Sequence, residues 1–293
     1  MGAFPAPQSS IGVRLVSIDE QGFLSCNMNL WISKHRTENA VWFAHAEKLN
    51  RLGQRAVINV IGETEDGRGL ADHKLVSMLL FVRALSNFQG TMLMAERGMV
   101  IEARTLLRTC VESTLCLGAL KNDPAFLTTL LHDELRSRKA RANFLLKEPG
   151  RLAFCDGDAA ARLREYVESI DTWGKLSSNP IEQMAEKAGW VDLYLFYRQL
   201  SGDAAHPSIT ALDRYVLSDE SREKAEIRWG PNCPSPDISD TLNLACHVFI
   251  GACACITELF LNADRDIELR ECFDEHKKLN GISFTIGAGA TPP

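Results

Sequence analysis

A helical run from residue 91 to residue 120 constrains this chain most, because its second half is almost wholly apolar except for Arg108 and Glu112. Arg104, Arg108 and Glu112 recur at intervals of four, so on an α-helix they share one face, where a bundle helix normally shows its core side. Between Thr109 and Leu120 the only formally charged residue is Glu112, with Val111, Leu115 and Leu117 around it. A carboxylate left unpaired on such a face bears a large desolvation cost, which a guanidinium in hydrogen-bond reach offsets. The run therefore predicts a helix that carries an internal ion pair.

The rest of the chain predicts helices for that one to pack against. With 45% hydrophobic and 24% charged residues, the composition is that of a soluble globular protein. A net charge of -6 supplies no long-range attraction for nucleic acid or anionic lipid. The nine cysteines are scattered over a long chain, several inside apolar helical patterns such as LACHVFIGACACITELF, and point to reduced thiols in the cytoplasm. Neither a signal peptide nor an uninterrupted apolar span stands out, so no membrane crossing is expected.

Helical periodicity starts near Glu38 and carries Val41, Trp42, His45 and Leu49 to Gly53; Arg55 to Ile61 reads as a short strand or linker. A second helix is expected from about Leu70 to Phe88, with Gly90 as a break before the central run. Asp123 and Pro124 suit the start of another helix, which becomes basic through Arg136, Arg138, Lys139 and Arg141. Asn179-Pro180 followed by Glu182 signals a further start, closed by Gly189. A long helix follows the Gly230 to Pro236 joint, and a charged one covers about 264 to 279. The fold class is all-α: an irregular multi-helix bundle, with an N-terminal β-hairpin or extended arm over Gly12 to Trp31. Domain organisation reads as an arm over 1–35, one helical domain over 36–279 and a flexible tail over 280–293.

Three polar groupings carry candidate chemistry. In the first, Glu112 is a proton acceptor with Arg104 or Arg108 holding an anionic substrate, or the set is a clamp that fixes bundle register. The second lies in YRQLSGDAAHPS, where Tyr197 and Ser201 precede a loop that can present His206 to a cleft. Ser201, Asp203 and His206 are the residue types of a nucleophile relay, but the strand-to-helix elbow of serine hydrolases is missing. The third is His132-Asp133 with His45 and His73, reminiscent of HD-type metal phosphohydrolases, without the spacing of a metal cage. His247, in an apolar helix, reads as a satisfied interhelical residue. No phosphate clasp, haem motif or zinc-cysteine series points to a cofactor or metal.

The segments IEARTLLRTCVESTLCLGAL, KNDPAF and YRQLSGDAAHPS together resemble a bacterial uncharacterised helical family, domain of unknown function 5677. That resemblance implies a compact helical protein and directs attention to Arg104, Arg108, Glu112, Ser201 and His206, without an established reaction. It suggests a polar interhelical pocket in which His206 and Glu112 meet across the bundle, with Tyr197, Ser201, Arg104 and Arg108 as ligand-binding groups for a small anionic molecule. Two alternatives stand beside it. One is a metal-independent, ribonuclease-like phosphodiesterase acting on RNA; the helical ribonucleases of toxin-antitoxin systems place an arginine shortly before a histidine, whereas Arg198 and His206 have seven residues between them. The other is a non-enzymatic interaction module with a protein partner or a second copy of itself.

Overall fold

The computed structural model describes residues 20–61, 69–152, 157–178, 180–205, 208–217, 226–227, 230–260 and 267–287. Among them the protein is an irregular all-helical bundle. In chain order its helices are α1 (Met28–Glu38), α2 (Ala40–Val60), α3 (His73–Ala95), α4 (Val100–Asn122), α5 (Phe126–Leu146) and α6 (Ala159–Asp171). They continue with α7 (Ile181–Ala188), α8 (Val191–Leu200), α9 (Ile209–Asp213), α10 (Ser235–Phe260) and α11 (Ile267–Gly287). The only β-pairing among the described residues is a two-residue antiparallel ladder, Val216–Leu217 with Glu226–Ile227.

The expected N-terminal hairpin is not there among the described residues. From Glu20 the chain passes through a 3-10 turn, Gly22–Leu24, straight into α1; residues 1–19 lie outside the described set. The β-branched mixture before Trp31 masked a helical spacing, in which Met28, Trp31 and His35 form the buried face. His35 Nε2 meets the Pro231 carbonyl at 2.7 Å and ties α1 to the loop that precedes α10. The boundary read at residue 35 thus falls inside α1, and the one read at 279 falls inside α11.

The core is built by α2, α3, α4 and α10. Phe249 of α10 stacks on Phe88 and Phe81 of α3, with ring centroids 4.4 and 5.8 Å apart. All three are fully buried, and truncation of one such ring costs about 3–5 kcal/mol. Two glycines taken as helix breaks are contact points within helices. Gly53 sits inside α2, where an added Cβ would lie 2.6 Å from Phe249; Gly90 sits inside α3, where it would lie 2.9 Å from Leu106. The helices continue because close approach, not chain reversal, is what these positions require. Consequently Arg55 to Val60 is helical, and the central run divides at a turn over Glu96 to Met99 into the end of α3 and the whole of α4.

Other boundaries follow their local chemistry. Asp72 accepts from the Lys74 amide at 2.9 Å to cap α3. Asp123 accepts from the Ala125 amide at 3.1 Å ahead of α5. Gly189 adopts φ 74° and closes α7, allowing the Trp190 amide to reach back to the Ala185 carbonyl at 2.9 Å. On α5 the basic cluster is paired: Arg136 with Asp133, Arg138 and Arg141 with Glu134, and Lys139 with Asp171. Helix α10 is long and apolar enough to cross a membrane by length and composition, and 61% of that stretch is buried inside the bundle.

Candidate functional site

Helix α4 carries its three polar residues toward the π-helical turn Ser201–Ala205 that follows α8. Arg104, 9% exposed, donates from Nη1 to Asp203 Oδ2 at 2.6 Å and from Nε to Thr241 Oγ1 at 3.1 Å. Arg214, just past α9, donates to the same Asp203 oxygen at 2.7 Å. Asp203, 6% exposed, therefore joins α4, the turn and the end of α9, while Thr241 joins α10. A buried carboxylate between two guanidiniums is tolerable because each lost hydration contact is replaced by a charge-assisted hydrogen bond.

One turn further along α4, Arg108 holds three partners. It donates from Nε to Ser201 Oγ at 2.8 Å and from Nη2 to the Tyr197 hydroxyl at 2.6 Å, and the same Nη2 lies 3.0 Å from Glu112 Oε1. The guanidinium also lies 4.7 Å from the centroid of the Tyr197 ring. The Ser201 hydroxyl in turn donates a hydrogen bond to the Tyr197 carbonyl at 2.8 Å. The side chains of Arg108 and Glu112 are 23% and 28% exposed, so water still reaches part of this group. Arg108, Glu112, Tyr197 and Ser201 thus come together as one cluster; Arg104 belongs to the separate, deeper one. His206 lies outside the described residues.

The deeper cluster borders a cavity of about 780 Å³ between α4, α8, α10 and α11. Arg104 and Thr241 form part of its wall, with Gln199, Asn243, His276 and Lys277. A second cavity of about 610 Å³ lies along α10 toward Trp190, and both are lined by His247 and Phe273. The charges of the larger cavity do not cancel. Arg104 Nη2 has no hydrogen bond among the described residues, and the Lys277 ammonium lies 4.1 Å from the Phe273 ring centroid without a carboxylate partner there. Asp240 is the acid facing them.

Beside this cavity three imidazoles form a row. His276 stacks on His45 with centroids 5.5 Å apart and meets His247 at 5.6 Å, while Trp42 packs edge-on against His276 at 5.9 Å. Asn280 Nδ2 donates to His276 Nε2 at 3.0 Å, which leaves the ring hydrogen on Nδ1, and that atom has no hydrogen-bond partner. Burial lowers the pKa of all three, and the neighbouring imidazoles help to push His276 down to about 4. The row is therefore neutral at pH 7. Among the described residues no three His, Cys, Asp or Glu side chains are grouped so as to hold a metal ion. Asp133 of the His132-Asp133 doublet faces Arg136, and His132 faces Ser177 and Trp173.

Several residues here are not announced by the sequence. In sequence Asp203 reads only as part of a relay, and Arg214, Thr241, His247, His276 and Lys277 carry no site role. His247 was expected to be satisfied between helices, yet it is an exposed imidazole at the junction of the two cavities, with ring contacts to Phe196 and His276 and no hydrogen bond. Its position four residues before Gly251 on an apolar helix was the available signal, since a polar ring and a missing side chain on one face leave space between them.

A protein-family model described as a family of unknown function, DUF5677, matches residues 74–224. That segment holds Arg104, Arg108, Glu112 and Asp203, while the α10 and α11 walls of the cavity lie beyond it. Neither the curated proteins nor the solved structures contain a match to the chain.

Proposed function

We propose that this chain, which belongs to the DUF5677 family of unknown function, recognises a small anionic molecule in the interhelical cavity beside Arg104. The observation that carries this is Arg104 itself. Asp203 and Thr241 hold two of its nitrogens and fix the guanidinium at the wall, leaving Nη2 as an oriented donor. Lys277 adds a second cation at the same cavity. A volume of about 780 Å³ is in the range of small-molecule sites. The Arg108 cluster supports the site from behind by tying α4 to α8. The eight free cysteines among the described residues favour a reducing compartment such as the cytoplasm.

Calorimetric titration of the full chain with acetate, citrate and inorganic phosphate tests this. At least one should bind and raise Tm, and Arg104→Lys together with Lys277→Gln should remove the effect, while Arg108→Lys leaves it. Equal binding by the double variant, or none by the wild type to any of the three, would refute the reading.

A further inference from the structure

We propose that the trench along α10 is shaped for an elongated anionic amphiphile, with its head at the Arg104 end and an apolar tail running past His247 toward Ala254. This rests on the small-anion reading above and adds the length and character of the rest of the ligand.

The two cavities share His247 and Phe273, so they adjoin along one helix. Thr241, Leu244, His247, Gly251 and Ala254 recur at intervals of three and four and therefore lie on one face of α10. At 1.5 Å rise per residue, that stripe is roughly 20 Å long. Both ends are mostly apolar, and what changes along the length is charge. Around Thr241 the walls carry Arg104 and Lys277 against Asp240, among Leu107, Phe196 and Leu244; around Ala254 they offer Trp190, Leu193, Ile250 and Leu269, with Asp192 and Arg270 balancing each other on the exposed rim.

The wall formed by α10 at the apolar end is made of small residues. A Cβ added at Gly251 would make ordinary contact with the Trp190 ring at 3.6 Å and with Thr114 at 3.7 Å, and Ala254 lies one turn on along the same wall. His247 at the junction is compatible with a tail because the desolvation of its ring by the surrounding helices lowers its pKa from 6.5 and leaves it mainly neutral at pH 7. A cation there would put an unpaired charge in the middle of the apolar path. This difference in charge selects the ligand: a bare anion leaves the apolar length unfilled, and a neutral hydrocarbon leaves the cations Arg104 and Lys277 unmatched.

The test is calorimetry of the full chain with acetate, hexanoate, octanoate, decanoate and decan-1-ol. Each added methylene from hexanoate to decanoate should tighten binding about fourfold, and decanol should bind well below decanoate. Ala254→Trp should abolish the gain from octanoate to decanoate and leave hexanoate unchanged. If that variant does not fold by circular dichroism, Ala254→Met should halve the gain instead. Acetate binding without any chain-length dependence would overturn the tail and leave the small-anion reading standing. Decanol binding as tightly as decanoate would overturn the head and that reading with it. Retention of the full gain in the Ala254 variants would place the tail elsewhere and end the proposal.

Discussion

Arg104 and His276 line the same cavity, yet the first keeps its charge inside the protein and the second gives it up. Arg104 is held by Asp203, which Arg214 also reaches, so three ionised groups share the loss of water. His276 has only Asn280 on one nitrogen and the rings of His45, His247 and Trp42 around it, so the neutral form is what the site accommodates. At these two sites burial is met by pairing where an opposite charge lies at hydrogen-bond distance, as at Arg104, and by loss of the proton where none does, as at His276. The partly exposed Arg108 cluster stands between them: it is paired, but water still shares the work.

The largest effect should come from breaking the paired set. Asp203→Ala leaves two guanidiniums facing each other in a space that Arg104 barely exposes, and loss of one partner of a buried pair costs about 3–5 kcal/mol. Urea unfolding should show a midpoint drop with m unchanged. A loss no greater than that of an ordinary surface substitution would mean that water reaches Arg104 freely.

The neutral set should respond to acid. The folded pKa of His276, about 4, lies below its ordinary 6.5, so as pH falls below 6.5 the unfolded chain takes up a proton that the folded one refuses. Stability is therefore lost as pH falls, by about 2 kcal/mol between pH 7 and 5 for this residue alone. His45, beside Glu275 and Lys48, and His247, beside Asp192, shift in the same direction. Denaturation at the two pH values should show the loss in the wild type and a smaller one in His276→Gln. A flat profile in the wild type would mean that the imidazoles gain partners on protonation.

How much of this was legible beforehand depended on range. Periodicity and caps located most helices, since Asp123, Pro180 and Gly189 act within a turn of themselves. Gly53 and Gly90 were misread because a glycine that ends a helix and one that admits a neighbouring ring look alike in one dimension. At the site, the four-residue spacing of Arg104, Arg108 and Glu112 announced a polar face. It did not show that Arg104 turns to Asp203 while only Arg108 meets Glu112, because those partners are set by how the Ser201–Ala205 turn docks on α4. The histidine row was invisible for the same reason: α2, α10 and α11 each contribute one ring, and no local pattern records their meeting.

The smallest effect should fall on the pair that the sequence advertised most loudly. Glu112 lies four residues after Arg108, the less favourable order for an intrahelical pair, and both remain partly in water. Arg108 also retains Ser201 and Tyr197 when the carboxylate is neutralised. Glu112→Gln should therefore cost under about 1 kcal/mol, well below Asp203→Ala, because water reaching this partly exposed pair screens it and Arg108 keeps two other partners. Measured side by side in the same denaturant, the two variants test whether depth ranks these contacts. If Glu112→Gln proves as damaging as Asp203→Ala, then Arg108 depends on the carboxylate despite its other partners, and the clamp between α4 and α8 is an ionic one after all.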